Sequence, residues 1–367
     1  MLKRTPLYDA HVKLGGRMVE FGGWEMPVQY SSIVDEHNAV RRAAGVFDIS
    51  HMGEVSVSGQ GASDFLNFVL TNDVKKLAAG QGQYSIMCND RGGTIDDLYV
   101  YRLGEQQYLL IINASRIEPD VDWLRQKAAG RNLRLENVSD AMGAIAVQGP
   151  RAVEFVPACF PDTDKLTKNQ VTTLNHEGKT IHVARTGYTG EDGFEIVAPA
   201  DTIEKIWTRI LAAGHAHCAQ PAGLGARDTL RTEVCYPLYG HELDENTSPI
   251  EAGLGFFVAL DKGDFIGRNL LAEQKANGVK KKCIAFKMTD KSAPPRPHYA
   301  IWSTGPKASK IGEVVSGTQS PSLGIGVGLG YVPPEFATRG MNIDIEIRGK
   351  RSPAQIVKKP IYQKQKV

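Results

Sequence analysis

Gly92-Gly93-Thr94-Ile95-Asp96-Asp97-Leu98-Tyr99-Val100-Tyr101 joins a glycine turn to a run of strand character. With a period of two, Ile95, Asp97, Tyr99 and Tyr101 share one face, and Asp96, Leu98 and Val100 the other. Aspartate suits strand interiors poorly, so two in succession ask for a reason. A carboxylate beside apolar rings has a raised pKa unless it is paired, and such groups gather at functional sites. The alternative is pairing of each aspartate with a turn amide or an arginine. The pattern alone does not choose between Asp96 and Asp97.

Working outward, 82–88 and 107–113 read as neighbouring strands, the first joined through the turn Asn89-Asp90-Arg91-Gly92-Gly93. A helix is predicted over 31–44, capped by Ser31 or Ser32 and ended by Gly45 in the left-handed conformation. An amphipathic run covers 62–70. A helix over 116–129 has Ser115 as its cap and Gly130 at its end. Strands follow at 134–148 and 180–198, the second broken by a glycine-rich turn, with a short helix at 150–160 between them. Asp201 and Glu204 form a capping-box pattern ahead of a helix at 202–213, and another helix starts near Ala226. Helices and strands mix without a βαβ rhythm, which is the pattern of an α+β fold. Ala276-Asn277-Gly278 and the lysines 280–282 mark a boundary, giving regions 1–278 and 279–367. In the second, 283–288, 310–315, 325–332 and 341–348 read as strands of a separate β domain. Gly324-Ile325-Gly326-Val327-Gly328-Leu329-Gly330 resembles a dinucleotide loop only superficially. Its glycines alternate and Pro333-Pro334 precludes a following helix, so it reads as a strand with one glycine face.

The 367 residues are too many for one ordinary core, and a hydrophobic fraction of 42% is enough for real ones. Lys and Arg number 43 against 41 acids, a balance that gives no reason to propose nucleic-acid binding. Lys280 to Lys282 and the tail lysines Lys358, Lys359, Lys364 and Lys366 read as solvated basic surface. Five cysteines without a CxxC pair argue against a disulfide framework and fit a reducing compartment. No stretch has the apolar length of a membrane span, and the start lacks the apolar run of a secretory signal.

Three further segments carry candidate chemistry. Arg185-Thr186-Gly187-Tyr188-Thr189-Gly190-Glu191-Asp192-Gly193-Phe194-Glu195 places three acids in or after a glycine turn. Glu195, where a strand begins, can accept two parallel hydrogen bonds from a guanidine-like edge such as that of arginine or a pterin. A solvated hairpin loop is the alternative. Gly223-Leu224-Gly225-Ala226-Arg227-Asp228 puts glycines before a helix, where an anion can approach. Arg227 binds a carboxylate there or pairs with a neighbouring acid. His215, His217 and Cys218 lack a fourth ligand, so no metal site is predicted. Cys88 and Cys235 read as buried small hydrophobes.

Together these segments resemble the aminomethyltransferase family, the T-proteins of the glycine cleavage system. The likeness begins with Thr5-Pro6-Leu7-Tyr8, Phe21-Gly22-Gly23-Trp24-Glu25-Met26-Pro27 and Gly45-Val46-Phe47-Asp48-Ile49-Ser50-His51-Met52-Gly53. It runs through the three central motifs to Leu238-Tyr239-Gly240 and Asp264-Phe265-Ile266-Gly267-Arg268, and ends in Ser316-Gly317-Thr318 and Ser320-Pro321-Ser322-Leu323-Gly324. Coverage is nearly end to end and in order.

The resemblance implies a three-domain cloverleaf around a central folate channel, with a C-terminal antiparallel β-barrel-like domain. Region 1–278 would be the folate-binding part, two interleaved α+β domains, and 279–367 the barrel. It implies transfer of a one-carbon unit from the lipoylated H-protein to tetrahydrofolate, within a system that also contains the P- and L-proteins. Nucleic acid and membrane are not expected partners, and the expected compartment is the cytoplasm, or the mitochondrial matrix for a mature eukaryotic chain. By the resemblance Asp97 is the catalytic aspartate, Glu195 the pterin-binding glutamate and Arg227 the folate-contacting arginine. Tyr84, Asn113, Tyr188, Tyr236 and Met52 fall where the family lines the folate site. Arg296 is taken as structural. The family's last folate contact has no counterpart in Lys359 to Lys364. Proteins of the same fold that serve iron–sulfur assembly carry a Lys-Gly-Cys motif. This chain has Lys262-Gly263-Asp264 instead, which disfavours that alternative.

Overall fold

The computed structural model describes residues 2–364; Lys366 of the basic tail lies outside them. The chain divides into one unit of residues 1–87 and 96–227 and another of residues 88–95 and 228–367.

The first unit holds two larger sheets. In the five-stranded sheet the order is Gln81–Cys88, Thr94–Gly104, Gln107–Ile112, Gly53–Ser58, Arg134–Asn137. Gly53 belongs there because a Cβ at that position would run into Ile112 and Ile117, the latter from the helix Ile117–Ala128. That side is the apolar one. Tyr99 pairs with Ile111, so alternation turns Leu98 and Asp96 toward the helix and Asp97 away from it.

The six-stranded sheet runs Val171–His176, Lys179–Ala184, Gly193–Pro199, Met142–Gln148, Ala44–Asp48, Ala219–Pro221. Its last pairing is parallel, in an otherwise antiparallel sheet. Helices Ala152–Cys159 and Ile203–Gly214 pack on one face, where Phe155, Trp207, Ile145, Val147, Phe194 and Ile196 form the core. Each such side chain contributes about 1.5–3 kcal/mol by leaving water. Because Phe194 and Ile196 enter this core, Glu195 points to the other face.

In the second unit six antiparallel strands close a barrel, in the order Lys282–Met288, Gly326–Val332, Lys310–Gln319, Ala300–Ser303, Asn342–Ile347, Lys350–Val357. Phe286, Ile301, Val314, Ile343, Ile345 and Ile356 fill it. The glycine face of 326–330 is a strand, as expected. A Cβ at Gly328 would meet the Phe286 ring, and one at Gly330 the Ile301 side chain. Lys281 is not freely solvated: its Nζ donates to Thr247 Oγ1 at 2.8 Å.

Several expected helix ends differ. Ser32 caps the helix Ile33–Arg42, but Gly45 lies in a strand and the helix ends at Ala43. Ser115 caps nothing, because a 3₁₀ turn over Ala114–Arg116 precedes Ile117–Ala128. Asp201 forms an ion pair with Lys179 at 2.8 Å rather than a capping box. Segment 134–148 is two strands separated by a 3₁₀ turn. Among the described residues no helix is long and apolar enough to cross a membrane.

Glu54, in the strand Gly53–Ser58, is fully buried and neither carboxyl oxygen has a hydrogen-bond partner among the described residues. Burial pushes its pKa well above the usual glutamate range. The folded state therefore binds a proton that the unfolded chain releases, so stability falls as pH rises above the unfolded value of about 4.3. Glu54→Gln is expected to melt higher than the wild type at pH 8. The gap should shrink toward pH 5, each pH unit being worth at most about 1.4 kcal/mol. Thermal melts across that range check this; parallel curves would count against a neutral Glu54.

Candidate active site

Asp97 projects from the face of its strand opposite the helix and is 9% exposed. Tyr84 Oη donates to its Oδ2 at 2.9 Å, and Asn113 Nδ2 to its Oδ1 at 3.0 Å. Burial, and then the charge of Asp96, raise the Asp97 pKa to about 7, against these two hydrogen bonds. Asp96 turns the other way and is fully buried, bonded by the Asn113 amide and backbone N–H at 2.8 and 3.0 Å. The alternation of 94–101 thus separates two carboxylates that the sequence pattern could not rank.

The glycine turn sorts its three acids. Arg41 binds Glu191 at 3.0 Å and Arg185 clamps Asp192 through two nitrogens. Gly187 and Gly193 are required because a Cβ at either would enter the space of the Gln148 amide, which bonds Thr186 and Thr189 across the turn. Of the three, Glu195 alone has no side-chain hydrogen bond among the described residues. Its pKa is raised by burial and drawn down by the charge of Arg227.

Arg227 lies over the Tyr188 ring, 4.6 Å from its centroid. Its Nη1 is buried with no hydrogen-bond partner among the described residues. The anion expected at the start of its helix is supplied from within the chain. Glu36 accepts from the N–H groups of Gly223, Tyr30 and Ser31 at 2.8, 2.6 and 2.9 Å. Gly223 permits this because a Cβ there would strike the Val28 backbone. The start of Arg227's helix is thus already filled, and the carboxylate in the electrostatic neighbourhood of Arg227 is Glu195.

The structure therefore brings together Asp97, Tyr84, Asn113, Tyr188, Arg227 and Glu195. Tyr84 and Tyr188 are electrostatic neighbours, as are Glu195 and Arg227. Met52 precedes Gly53, which pairs with Ile112 beside Asn113. Next to it, His51 is buried and held neutral, its pKa lowered to about 4 by burial and by Arg227 against the pull of Asp48. Tyr236 belongs to the second unit, where its N–H donates to the Arg231 carbonyl at 3.0 Å. Arg296 contacts the Gly317 carbonyl. Sequence reasoning missed Asp120, which faces Asp96 from the helix Ile117–Ala128. Four residues after Arg116, it reads as half of an ordinary exposed helical ion pair.

A buried guanidinium nitrogen without a hydrogen-bond partner among the described residues, an acid in its electrostatic neighbourhood and a second carboxylate of raised pKa make a site suited to a polar small molecule, in an α+β protein. The chain matches the GCVT N-terminal domain family over residues 7–262 and the glycine cleavage T-protein C-terminal barrel domain over 281–363. It is 47% identical to an aminomethyltransferase of Bacillus subtilis (strain 168), over 99% of this chain and 100% of that one. With an aminomethyltransferase of Lysinibacillus sphaericus (strain C3-41) it shares 46%, over 100% and 99%. The crystal structure of the glycine cleavage system aminomethyltransferase T from Bartonella henselae superposes with a TM-score of 0.93 at 32% identity, covering 99% of both chains. The chain belongs to the glycine cleavage T-protein family, the aminomethyltransferases.

Proposed function

We propose that this chain transfers the one-carbon unit of S-aminomethyl-dihydrolipoyl H-protein to tetrahydrofolate, forming 5,10-methylenetetrahydrofolate, ammonia and dihydrolipoyl H-protein. The methylene carbon exchanges its bonds to sulfur and nitrogen for bonds to two folate nitrogens. The two hydrogens those nitrogens give up leave with the ammonia and the thiol.

The observation that carries this reading is the couple of Glu195 and Arg227, neighbours in charge, with the buried Arg227 Nη1 lacking a hydrogen-bond partner among the described residues. A buried guanidinium nitrogen without an acceptor is costly, and so is a half-buried carboxylate without a donor. A pterin edge answers both: its 2-amino group and ring N–H donate to Glu195, and its carbonyl accepts from Arg227. Tyr188 under Arg227 adds an aromatic wall. Asp97 orients the reacting folate amines and stabilises positive charge as it develops, while Tyr84 and Asn113 hold the carboxylate in place. Met52 belongs to the proposed folate lining. In this reading region 1–278 binds the folate and 279–367 is the barrel, and the protein works in the cytoplasm beside the P- and L-proteins.

The test is ammonia release from aminomethylated H-protein with and without tetrahydrofolate. Release should accelerate with tetrahydrofolate and match 5,10-methylenetetrahydrofolate formed one for one. A rate indifferent to tetrahydrofolate would overturn the proposal.

A further inference from the structure

Behind Asp97 lies a chain of polar groups whose contacts run through the strand to the helix on its far side. The Asn113 side-chain amide donates to Asp97 Oδ1 at 3.0 Å and to Asp96 Oδ1 at 2.8 Å, and its backbone N–H to Asp96 Oδ2 at 3.0 Å. One residue therefore ties together carboxylates that leave the strand on opposite faces. On the helix side Asp96 meets Asp120, and both are fully buried. Neither Asp120 oxygen accepts a hydrogen bond among the described residues; its cationic neighbour is Arg116, an ion pair with Nε 3.4 Å from Oδ1. Two ionised carboxylates facing each other in a dry site repel. A single proton on Asp120 removes the repulsion and turns one of its unpartnered oxygens into a hydroxyl that can donate.

We propose that Asp120 is a positioning residue for Asp97: it carries the shared proton and donates it to Asp96, so that Asp96 stays anionic on Asn113 and Asn113 stays aimed at Asp97. The electrostatics agree. Burial and the Asp96 charge raise the Asp120 pKa far above the usual aspartate range, with Arg116 opposing. Asp96 is raised by burial, opposed by the bonds from Asp120 and Asn113. Tyr84 and Asn113 bond Asp97, and the charge of Asp96, on the opposite face, lifts it beyond the effect of burial. The inference rests on the reading of Asp97 as the carboxylate at the reacting end.

The experiment follows the side-chain carboxyl carbon of Asp97 by ¹³C NMR titration of the full-length, aspartate-labelled protein, the signal being assigned by its loss in Asp97→Asn. In Asp120→Ala the donor is gone, Asp96 takes up the proton itself, and Asp97 loses its anionic neighbour. Its titration midpoint should fall by about one unit or more. The acid limb of the transfer rate should move down with it, while the KM for tetrahydrofolate holds. Asp120→Asn, whose amide N–H can still donate to Asp96, should restore the wild-type midpoint. If Asp120→Ala misfolds, Asp120→Leu, which fills the space of the carboxyl group but has no proton to donate, makes the same test. An unmoved Asp97 midpoint in these variants overturns the proposal. The titration needs no substrate, so the two readings fail separately. A shifted midpoint in a protein without tetrahydrofolate-dependent transfer would sink the transferase mechanism and keep the relay. Transfer with an unshifted midpoint would do the reverse.

Discussion

Asp97→Asn is expected to lower the rate of aminomethyl transfer by about 10²–10⁴-fold, the usual worth of a positioned carboxylate acting on protons and charge in a transition state. Tetrahydrofolate affinity should change much less, because the amide keeps the shape and one acceptor for Tyr84. The pH profile separates this from a packing defect. With its pKa raised to about 7 by burial and by Asp96, the carboxylate becomes anionic as pH rises through neutrality. Wild-type transfer should therefore rise through about pH 7 and level off above it, whereas the Asn variant should lack that limb. Stability carries the opposite sign. The folded state holds a proton that an unfolded aspartate releases near pH 3.9, so between about pH 4 and 7 wild-type stability declines as pH rises. Asp97→Asn should escape that decline and melt higher than the wild type at pH 8. Stopped-flow transfer assays and melts on the same samples measure both. Full activity in Asp97→Asn would refute the role.

The same strand shows what a sequence discloses and what it withholds. Period-two alternation placed Asp97 with Tyr99 and Tyr101, and Asp96 with Leu98, and the structure keeps that division. What alternation could not say is which of the two faces meets a helix. That depends on Gly53 letting Ile117 close against the sheet, a contact made across 64 positions of chain. Asp120 was invisible for the same reason, since only the fold brings it to Asp96. The glycine turn was legible as a turn, but the fate of its acids depended on Arg41, far upstream. Likewise nothing near Gly223 announces that Glu36 fills the helix start. Caps were the least reliable reading. Ser115 and Asp201 have the right chemistry, yet a 3₁₀ turn and Lys179 claim those places. The barrel's glycine strand was legible because alternation and the proline pair left one reading, whereas the short strand Ala300–Ser303 lacks the length to show a pattern.

Glu195→Ala is expected to weaken tetrahydrofolate binding by about 2–4 kcal/mol, roughly 30- to 1,000-fold in Kd, the worth of paired hydrogen bonds to a charged acceptor. The pterin donors would then be buried against a methyl group, and Arg227 would lose the carboxylate in its electrostatic neighbourhood. A purely structural role predicts a different outcome. Glu191 and Asp192, bound to Arg41 and Arg185, hold the turn together, so their loss should lower the melting temperature. Glu195 makes no such bond and burial already disfavours its charge, so removing it should leave the melting temperature unchanged or higher. Glu195→Gln refines the test: the amide retains one acceptor but turns a donor toward the pterin amino group, so affinity should fall nearly as far as in the alanine variant. Calorimetric titration with tetrahydrofolate under anaerobic conditions reads all three proteins. A Kd unchanged by Glu195→Ala, with Arg227 still required, would move the pterin edge away from this carboxylate and leave the guanidinium to be satisfied by another part of the ligand.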